Sequence, residues 1–503
     1  MSTLPRGSSL AVLAADAEAR FGDRSSMLFE GTALTSAETG ARARRFGAGL
    51  ASLGVRAGDR VAVCMANCPE VLQSYHGIWR IGAAVTPLLF LLGEDELRHA
   101  LSDSGAAAIV TTPEFRAKVL AASAGLDVRC VVTGSGDGAV SFDELVSGPE
   151  APLASVDPTG MAALLYTGGT TGRSKGVVLS HDALSTAAWS ATLAGVDDEH
   201  TVSLLPLPLA HAYGLLVSVM AVHAVRPTRS VLMRWFDPVG WLTLAQAERV
   251  QVSAVVPTML RLLTTQPLED YDLSQLQRIV SGSAPLPAEV LEEWNRRVPG
   301  VEIVEGYGCS ETAALASTTP MGKARAGSVG TVAPGAEVRI EMPDGSDAPS
   351  GVNGEICVRT ASLMTGYWHD PEATSHAIRD GWFHTGDIGH LDDDGYLFVV
   401  DRMKDIIIRG GFNVYPRDVE EALIRHPAVA VCAVIGRPDI EHGEEVVAFV
   451  QLHEGAQVSP AELIEYGRAH LSAIKYPREI RIVDQLPLTS MGKLDRKALR
   501  GTP

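Results

Sequence analysis

From Arg60 onward the chain repeats one pattern, a strand-like apolar run followed by a helix-like amphipathic one. RVAVCMA precedes PEVLQSYHGIWRIG, AAAIVTT precedes PEFRAKVLAAS, and VRCVVTG follows. The alternation resumes with VSAVVP before TMLRLLTT and with RIVSG before PAEVLEEWNRRV and VEIVEGYG. Strands separated by helices pair in parallel, because each helix carries the chain across one face of the sheet before the next strand starts. An α/β chain of parallel-sheet layers is therefore expected. In such sheets ligands sit at the carboxyl ends of strands, here the loops after Val280 and Glu305.

The texture changes between Gly330 and Val400, where AEVRIEM, GEICVRT and GYLFVV are separated by Gly, Pro and Asp turns; this reads as a small β-rich subdomain. After Asp401 the chain becomes α+β: a helix at PRDVEEALIRH, strands at VAVCAVIG and EEVVAFVQLH, a second helix, and strand EIRIVDQL. Ser459 and Glu462 fit a capping box at the start of that second helix, with Pro460 at its first position. Charge marks the same boundary. Residues 402–503 carry 14 Lys or Arg and 14 Asp or Glu, so the whole net charge of −18 lies in residues 1–401. The expected organisation is a large domain over 1–401, with residues 330–401 as its β-rich subdomain, and a small α+β domain over 402–503.

With 503 residues, 46% hydrophobic and 20% charged, the chain has the length and composition of two or three packed domains, which excludes disorder and collagen-like repetition. An excess of 60 Asp and Glu over 42 Lys and Arg argues against nonspecific attraction to nucleic acid or anionic lipid. No run approaches the ~18–20 apolar residues of a membrane helix; Leu215 to Val225 is short and contains His223. The N-terminal SLAVLAADAEARFGD has no basic region ahead of its apolar stretch, so no secretory leader is read. Cysteines at 64, 68, 130, 309, 357 and 432 are few for this length and lie in apolar, strand-like contexts, which points to a reduced, cytoplasmic setting. Cys64 and Cys68 have no second pair at zinc spacing and HExxH is absent, so no Cys/His metal centre is expected.

The segment LLYTGGTTGRSKGVVLSH, Leu164 to His181, carries the clearest chemistry. Two strand-like runs flank glycines, threonines, Ser174, Arg173 and Lys175. Glycines admit a polyanion close to the backbone, amides and hydroxyls donate to its oxygens, and Lys175 supplies charge, as a phosphate cradle requires. The GxxxxGK[ST] spacing of a Walker A loop does not fit, and a strand follows where that loop needs a helix. On composition alone a flexible Gly/Thr hairpin fits equally well.

The order of further motifs decides between these. YTGGTTGRSKG is followed by LPLAHAYG (Leu207 to Gly214), GYGCSET (Gly306 to Thr312), GWFHTGDIG (Gly381 to Gly389), DRMKDIIIRGGFNVYPRDVE (Asp401 to Glu420) and PLTSMGKLDRKAL (Pro487 to Leu499). In this order they resemble the adenylate-forming superfamily of acyl-CoA synthetases, luciferases and peptide-synthetase adenylation domains. The resemblance implies an AMP-forming acid–thiol ligase that uses ATP, Mg2+ and coenzyme A, with a small mobile C-terminal domain turning about a hinge at Lys404. It gives Thr167, Gly168, Gly169, Thr170, Thr171, Gly172 and Lys175 to the phosphates. Ser283, Ala284, Pro285, Gly306, Tyr307, Gly308 and Ser310 go to adenine and its surroundings, and Asp387 and Arg402 to the ribose. Glu311, with the hydroxyl of Thr171, goes to magnesium. Lys493 is the expected catalytic lysine, and His211 lies near the acyl carboxylate, with Lys175 and Glu311 completing the catalytic set. Arg409, Gly410, Gly411 and Phe412 form the loop brought to the site for thiol attack.

The acid pocket implied by these positions comprises His211, Gly214, Val255, Ser281, Gly282, Gly306 and Cys309, all small or apolar except the histidine. Malonate-selecting members carry an arginine where this chain has Gly306, and amino-acid-activating members an aspartate where this chain reads LLVSVMAVHAV. A fatty, branched or aromatic monocarboxylate remains. Ser174 replaces the usual proline of the phosphate loop, and GGTTG the commoner SGTTG. CoA is the expected acceptor; the alternatives are a carrier-protein phosphopantetheine or another nucleophile. A noncatalytic nucleotide-binding protein is the reading from another class, disfavoured by Lys175, Glu311, Asp387, Arg402 and Lys493 standing together.

Overall fold

The computed structural model describes residues 7–134, 138–167, 174–195, 200–488 and 494–501. Of the expected site residues, Gly168, Gly169, Thr170, Thr171, Gly172 and Lys493 lie outside these. Contacts divide the chain into two units. One comprises Met1–Val338, Val358–Phe383 and Gly395–Leu397, and the other Arg339–Cys357, His384–Asp394 and Phe398–Pro503.

The first unit holds two large sheets. One runs in the order Glu302–Glu305, Arg278–Ser281, Val252–Val255, Val202–Leu205, Arg229–Leu232, Ser25–Phe29, Thr32–Thr35. Every pairing in it is parallel except the last. Crossover helices such as Pro257–Thr264 and Ala288–Arg297 account for this, their apolar residues Leu260, Leu263, Val290 and Trp294 packing into one core cluster with Val255 and Ile279. The second sheet contains the parallel strands Ala84–Pro87, Arg60–Cys64, Ala108–Thr111 and Arg129–Val132. On its other side Met161–Thr167 and Lys175–Ser180 form an antiparallel hairpin. The strand after the glycine-rich loop is thus present where a Walker A loop would have a helix. The mixed α/β class read from the sequence is the class observed.

Residues 336–402 carry strands at Ala336–Glu341, Gly354–Thr360, Ile378–Arg379, Trp382–Leu391 and Leu397–Arg402, and their residues are divided between the two units. The remainder of the second unit is α+β. Val429–Asp439 and Gly443–Leu452 form a long antiparallel pair, flanked by the hairpin Ile407–Arg409/Phe412–Val414 and by Glu479–Ile482. Helix Pro460–His470 opens with the expected reciprocal cap: Ser459 Oγ accepts from Glu462 N at 3.2 Å, and Glu462 Oε2 accepts from Ser459 N at 2.8 Å.

Among the described residues no helix is long and apolar enough to cross a membrane. Cys64, Cys68, Cys357 and Cys432 are buried.

His181, at the start of helix His181–Gly195, is 1% exposed, and its Nδ1 accepts the Leu10 N–H at 3.3 Å. Burial pushes its imidazole down from 6.5 to about 4, so folding favours the neutral ring. The resulting stability is complete above about pH 6.5 and is lost as pH falls towards 4, with a ceiling of about 3 kcal/mol. We predict that melting temperature drops between pH 7 and pH 5. The drop should be shallower in His181→Asn, whose Oδ1 stands in for Nδ1 as acceptor of the same hydrogen bond without titrating, when both proteins are melted across that range.

Candidate active site

Parallel register sets Val255 beside Ser281 and Ser281 beside Glu305. The ladder then continues past the strand ends, with Gly282 N donating to Val255 O at 3.2 Å and Gly306 N to Ser281 O at 3.1 Å. Val255, Ser281, Gly282 and Gly306 are thereby brought together at the carboxyl edge of one sheet. The loops Gly282–Pro285 and Gly306–Cys309 leave this edge side by side. Ser283 has φ 70°, and Ala313 and Ala314, just beyond the second loop, have φ 52° and 70°. Left-handed backbone in non-glycine residues is costly and concentrates where a loop is held for function.

The fourth strand of this edge, Val202–Leu205, leads to His211. The histidine caps helix Ala212–Met220, its Nδ1 accepting from Tyr213 N at 3.2 Å. A ring that accepts at Nδ1 carries its proton on Nε2 when neutral. Tyr213 reaches back to the sheet, donating to Val280 O at 3.1 Å, and so fastens this segment to the pocket. Gly214 has no space for a side chain, since a Cβ there would lie 2.1 Å from Pro208 O. Its role is close packing of the loop under the helix. Ser281 Oγ is fully buried with no hydrogen-bond partner among the described residues. Cys309 is half-buried beside Thr312, with Sγ to Oγ1 at 3.7 Å.

On the second sheet Thr167 and Lys175 face each other across the hairpin that closes the glycine-rich segment. Lys175 Nζ lies 3.2 Å from Asp370 Oδ2 and 5.1 Å from the centre of the Tyr367 ring. The same tyrosine donates its hydroxyl to Glu311 Oε1 at 2.8 Å. Burial, reinforced by the Glu311 charge, pushes the phenol well above its usual range and keeps it a donor. Asp370 caps helix Pro371–Ala377; the Ala373 N–H first and Lys175 second hold its carboxyl below the usual carboxylate range. Glu311 offers hard carboxylate oxygens, the donor type that suits a magnesium ion also bound to phosphates, and its hydrogen bond to Tyr367 fixes their direction.

The second unit holds the ribose-motif residues. Asp387 is 8% exposed, with Oδ1 3.4 Å from Arg402 Nε. Its N–H donates to Thr385 Oγ1 at 3.0 Å, and Thr385 donates to Ile356 O at 2.8 Å. Glu355 braces the turn from the other side, Oε1 accepting Gly386 N–H at 3.1 Å and Oε2 meeting His384 Nδ1 at 3.0 Å. Cys357 Sγ lies 3.3 Å from the same nitrogen, its thiol pushed up to about 12 by burial first and by Glu355 next. Glu341, Cys357 and His384 gather ligand-type atoms within 4.8 Å, an arrangement not foreseen from sequence. Arg339 already pairs with Glu341.

Lys404 is held below the usual lysine range, by burial first and the Arg402 charge second. In the following hairpin Gly410 and Gly411 have φ 57° and 80°. A two-residue turn with positive φ at both positions is the type that matches strand twist, so backbone geometry favours glycine at both. Arg409 is occupied by Glu445, at 2.6 and 3.0 Å, whereas Phe412 is 59% exposed. The chain on either side of the segment containing Lys493 is anchored. Leu488 bridges to Leu494, Asp495 caps helix Arg496–Arg500, and Arg496 pairs with Glu420 at 2.7 Å.

Tyr367, Asp370 and Glu355 were not singled out from the sequence. One signal was available in GYWHDPEAT, where Asp370 before Pro371 marks a helix start. That this start lands beside Lys175 has no local signature.

An AMP-binding enzyme family description matches residues 14–368, and the AMP-binding enzyme C-terminal domain matches residues 418–493. A feruloyl-CoA synthase from Amycolatopsis sp is 38% identical over 478 residues, covering 93% of this chain and 94% of that protein. A long-chain-fatty-acid–CoA ligase from Bacillus subtilis is 34% identical over 520 residues, covering 96% and 92%. Among solved structures, the amide bond synthetase McbA from Marinactinospora thermotolerans superposes with a TM-score of 0.89 at 30% identity, covering 98% of this chain and 99% of that one. The motif order, the two-unit α/β architecture and these matches together make the chain a member of the AMP-binding enzymes, the adenylate-forming superfamily.

Proposed function

We propose that this chain activates a monocarboxylic acid with ATP, giving an acyl-adenylate and pyrophosphate, and then transfers the acyl group to the thiol of CoA with release of AMP. The observation that carries the reading is the joining of Lys175 and Glu311 through Tyr367. A cation and a hard carboxylate are held together next to a glycine-rich segment, as a nucleoside triphosphate and its metal require. Carboxylate and α-phosphate are both anions, so positioning and countercharge are the main catalytic demands.

In this reading Lys175 binds the outer phosphates, with the amides and hydroxyls of Thr167 to Gly172 around them. Bound to Glu311 and Thr171, Mg2+ would neutralise phosphate charge. Tyr307 stacks on adenine, with Ser283, Ala284, Pro285, Gly306, Gly308 and Ser310 around the base, and Asp387 and Arg402 hold the ribose. Lys493 offsets the repulsion between the reacting carboxylate and phosphate, and His211 presents its Nε2 side to the acyl carboxylate. The Arg409 to Phe412 hairpin serves the thiol step. Since Arg409 is already paired with Glu445, exposed Phe412, next to the turn, is the side chain offered to the acceptor.

Val255, Ser281, Gly282 and Gly306 carry no charge, which suits a largely apolar acyl body. The names of the two curated relatives make aromatic and long-chain acids the first to test. The amide bond synthetase likeness makes an amine a second acceptor to set beside CoA and a carrier phosphopantetheine. The buried thiols support a reducing, cytoplasmic setting.

Pyrophosphate exchange into ATP, run over fatty, branched and aromatic acids, should show acid-dependent signal; none with any acid would sink the reading. Adding CoA, an amine or a holo-carrier and following AMP identifies the acceptor. We predict that Lys493→Ala abolishes exchange while leaving thioester formation from synthetic acyl-adenylate largely intact. Equal loss in both steps would refute the separate roles. Asp387→Ala should raise the KM for ATP about tenfold or more, from loss of a charge-assisted contact, with the acid KM unchanged in the same steady-state assay.

A further inference from the structure

Tyr367 lies on the two-residue strand Gly366–Tyr367, paired antiparallel with Lys175–Ser180 so that Tyr367 faces Val177. Its backbone is clamped from both directions. Tyr367 N donates to Thr374 Oγ1 at 2.9 Å, and the next residue, Trp368, donates from N to Gly176 O at 2.7 Å and from Nε1 to Asp103 O at 3.0 Å. The turn bearing Glu311 is tied to the same stretch of chain, Met364 N donating to Glu311 O at 2.7 Å and Ser362 Oγ to Thr312 O at 3.3 Å. Both ends of the Tyr367–Glu311 hydrogen bond thus stand on fixed backbone. A carboxylate on a flexible stem loses rotamer freedom when it binds a cation; one already oriented by a donor has lost it beforehand.

We infer that Tyr367 is a positioning residue for nucleotide binding: its hydroxyl directs the Glu311 carboxylate towards the metal of a metal–triphosphate complex while its ring carries the Lys175 ammonium. The inference rests on the function proposed above and deepens it. The two halves of the side chain separate chemically. The hydroxyl acts on Glu311, and hence on the metal-dependent part of binding. The ring face acts on Lys175, and hence on the part the phosphates contribute without metal. Asp370 completes the arrangement by pairing with Lys175 at 3.2 Å.

Tyr367→Phe removes the hydroxyl and keeps the ring. Calorimetric titration of the full chain with α,β-methylene-ATP, with and without Mg2+, should show wild-type affinity in the absence of metal. The extra affinity that Mg2+ confers should fall about five- to tenfold, as for loss of one hydrogen bond to a charged group. In pyrophosphate exchange the Mg2+ concentration for half-maximal rate should rise, with the acid KM and the melting temperature unchanged. An unaltered Mg2+ gain, or equal weakening with and without Mg2+, would overturn the inference, the latter because a packing defect has no reason to distinguish the two conditions. If instead the wild-type chain binds the analogue in neither condition, the proposed function itself fails.

Discussion

Parallel pairing of Val252–Val255, Arg278–Ser281 and Glu302–Glu305 is the constraint on which the first unit's site depends. Because the three strands are in register, their carboxyl ends fall on one line, and loops far apart in sequence leave from adjacent points. Each strand is only four residues long, so a slip of one residue would move a quarter of its side chains past the edge and turn the rest to the opposite face. Burial of Trp294, Leu260 and Ile279 in one cluster opposes such a slip. The left-handed backbone at Ser283, Ala313 and Ala314 lies next to this edge, and at Ala313 and Ala314 it is also held locally, their N–H groups donating to Ser310 O and Cys309 O at 3.1 and 2.8 Å.

Charge in the site residues is paired before any ligand arrives. Lys175 stands against Asp370, and Arg402 against Asp387. The two differ in depth: the Asp387 side chain is 11% exposed beside a half-exposed Arg402, whereas Lys175–Asp370 is open on both sides. The Lys175–Asp370 side chains are 46% and 38% exposed, and partly exposed pairs of this kind contribute about 1 kcal/mol or less. Separating Asp370 from Lys175 therefore costs little. Glu420 and Arg496 are 13% and 21% exposed and form a tighter anchor, since removal of either partner would strand a charge in a poorly solvated place. A weak, partly exposed pair at Lys175 thus contrasts with a firm one where the chain beside Lys493 is fastened.

What was legible in the sequence follows the range of the interaction. The Ser459–Glu462 cap, the hairpin around Thr167 and Lys175, and the alternation that builds the sheets are all written within a few residues, and each could be read directly. Lys175, Glu311, Asp387 and Arg402 were recognisable because each stands in a motif with its own local spelling. Tyr367 and Glu311 are 56 positions apart, and Glu355 and His384 are 29 apart. No periodicity links such pairs; only the folded sheet brings them together. The residues that position the site are in this sense harder to read than those expected to act in it.

Gly410 and Gly411 have a structural reason that the sequence alone did not supply. Read as sequence, two glycines in a loop suggest room for an approaching thiol. The structure gives them a task that exists with no ligand at all, since Ile407–Arg409 and Phe412–Val414 pair directly and the two residues between must both take positive φ. That task explains why both are glycine, and it has a further effect. The tight turn fixes Phe412 at the hairpin end with its side chain largely in solvent, a position an apolar residue holds at the expense of hydration. A turn needed for backbone reasons thus also presents an aromatic group at a fixed place.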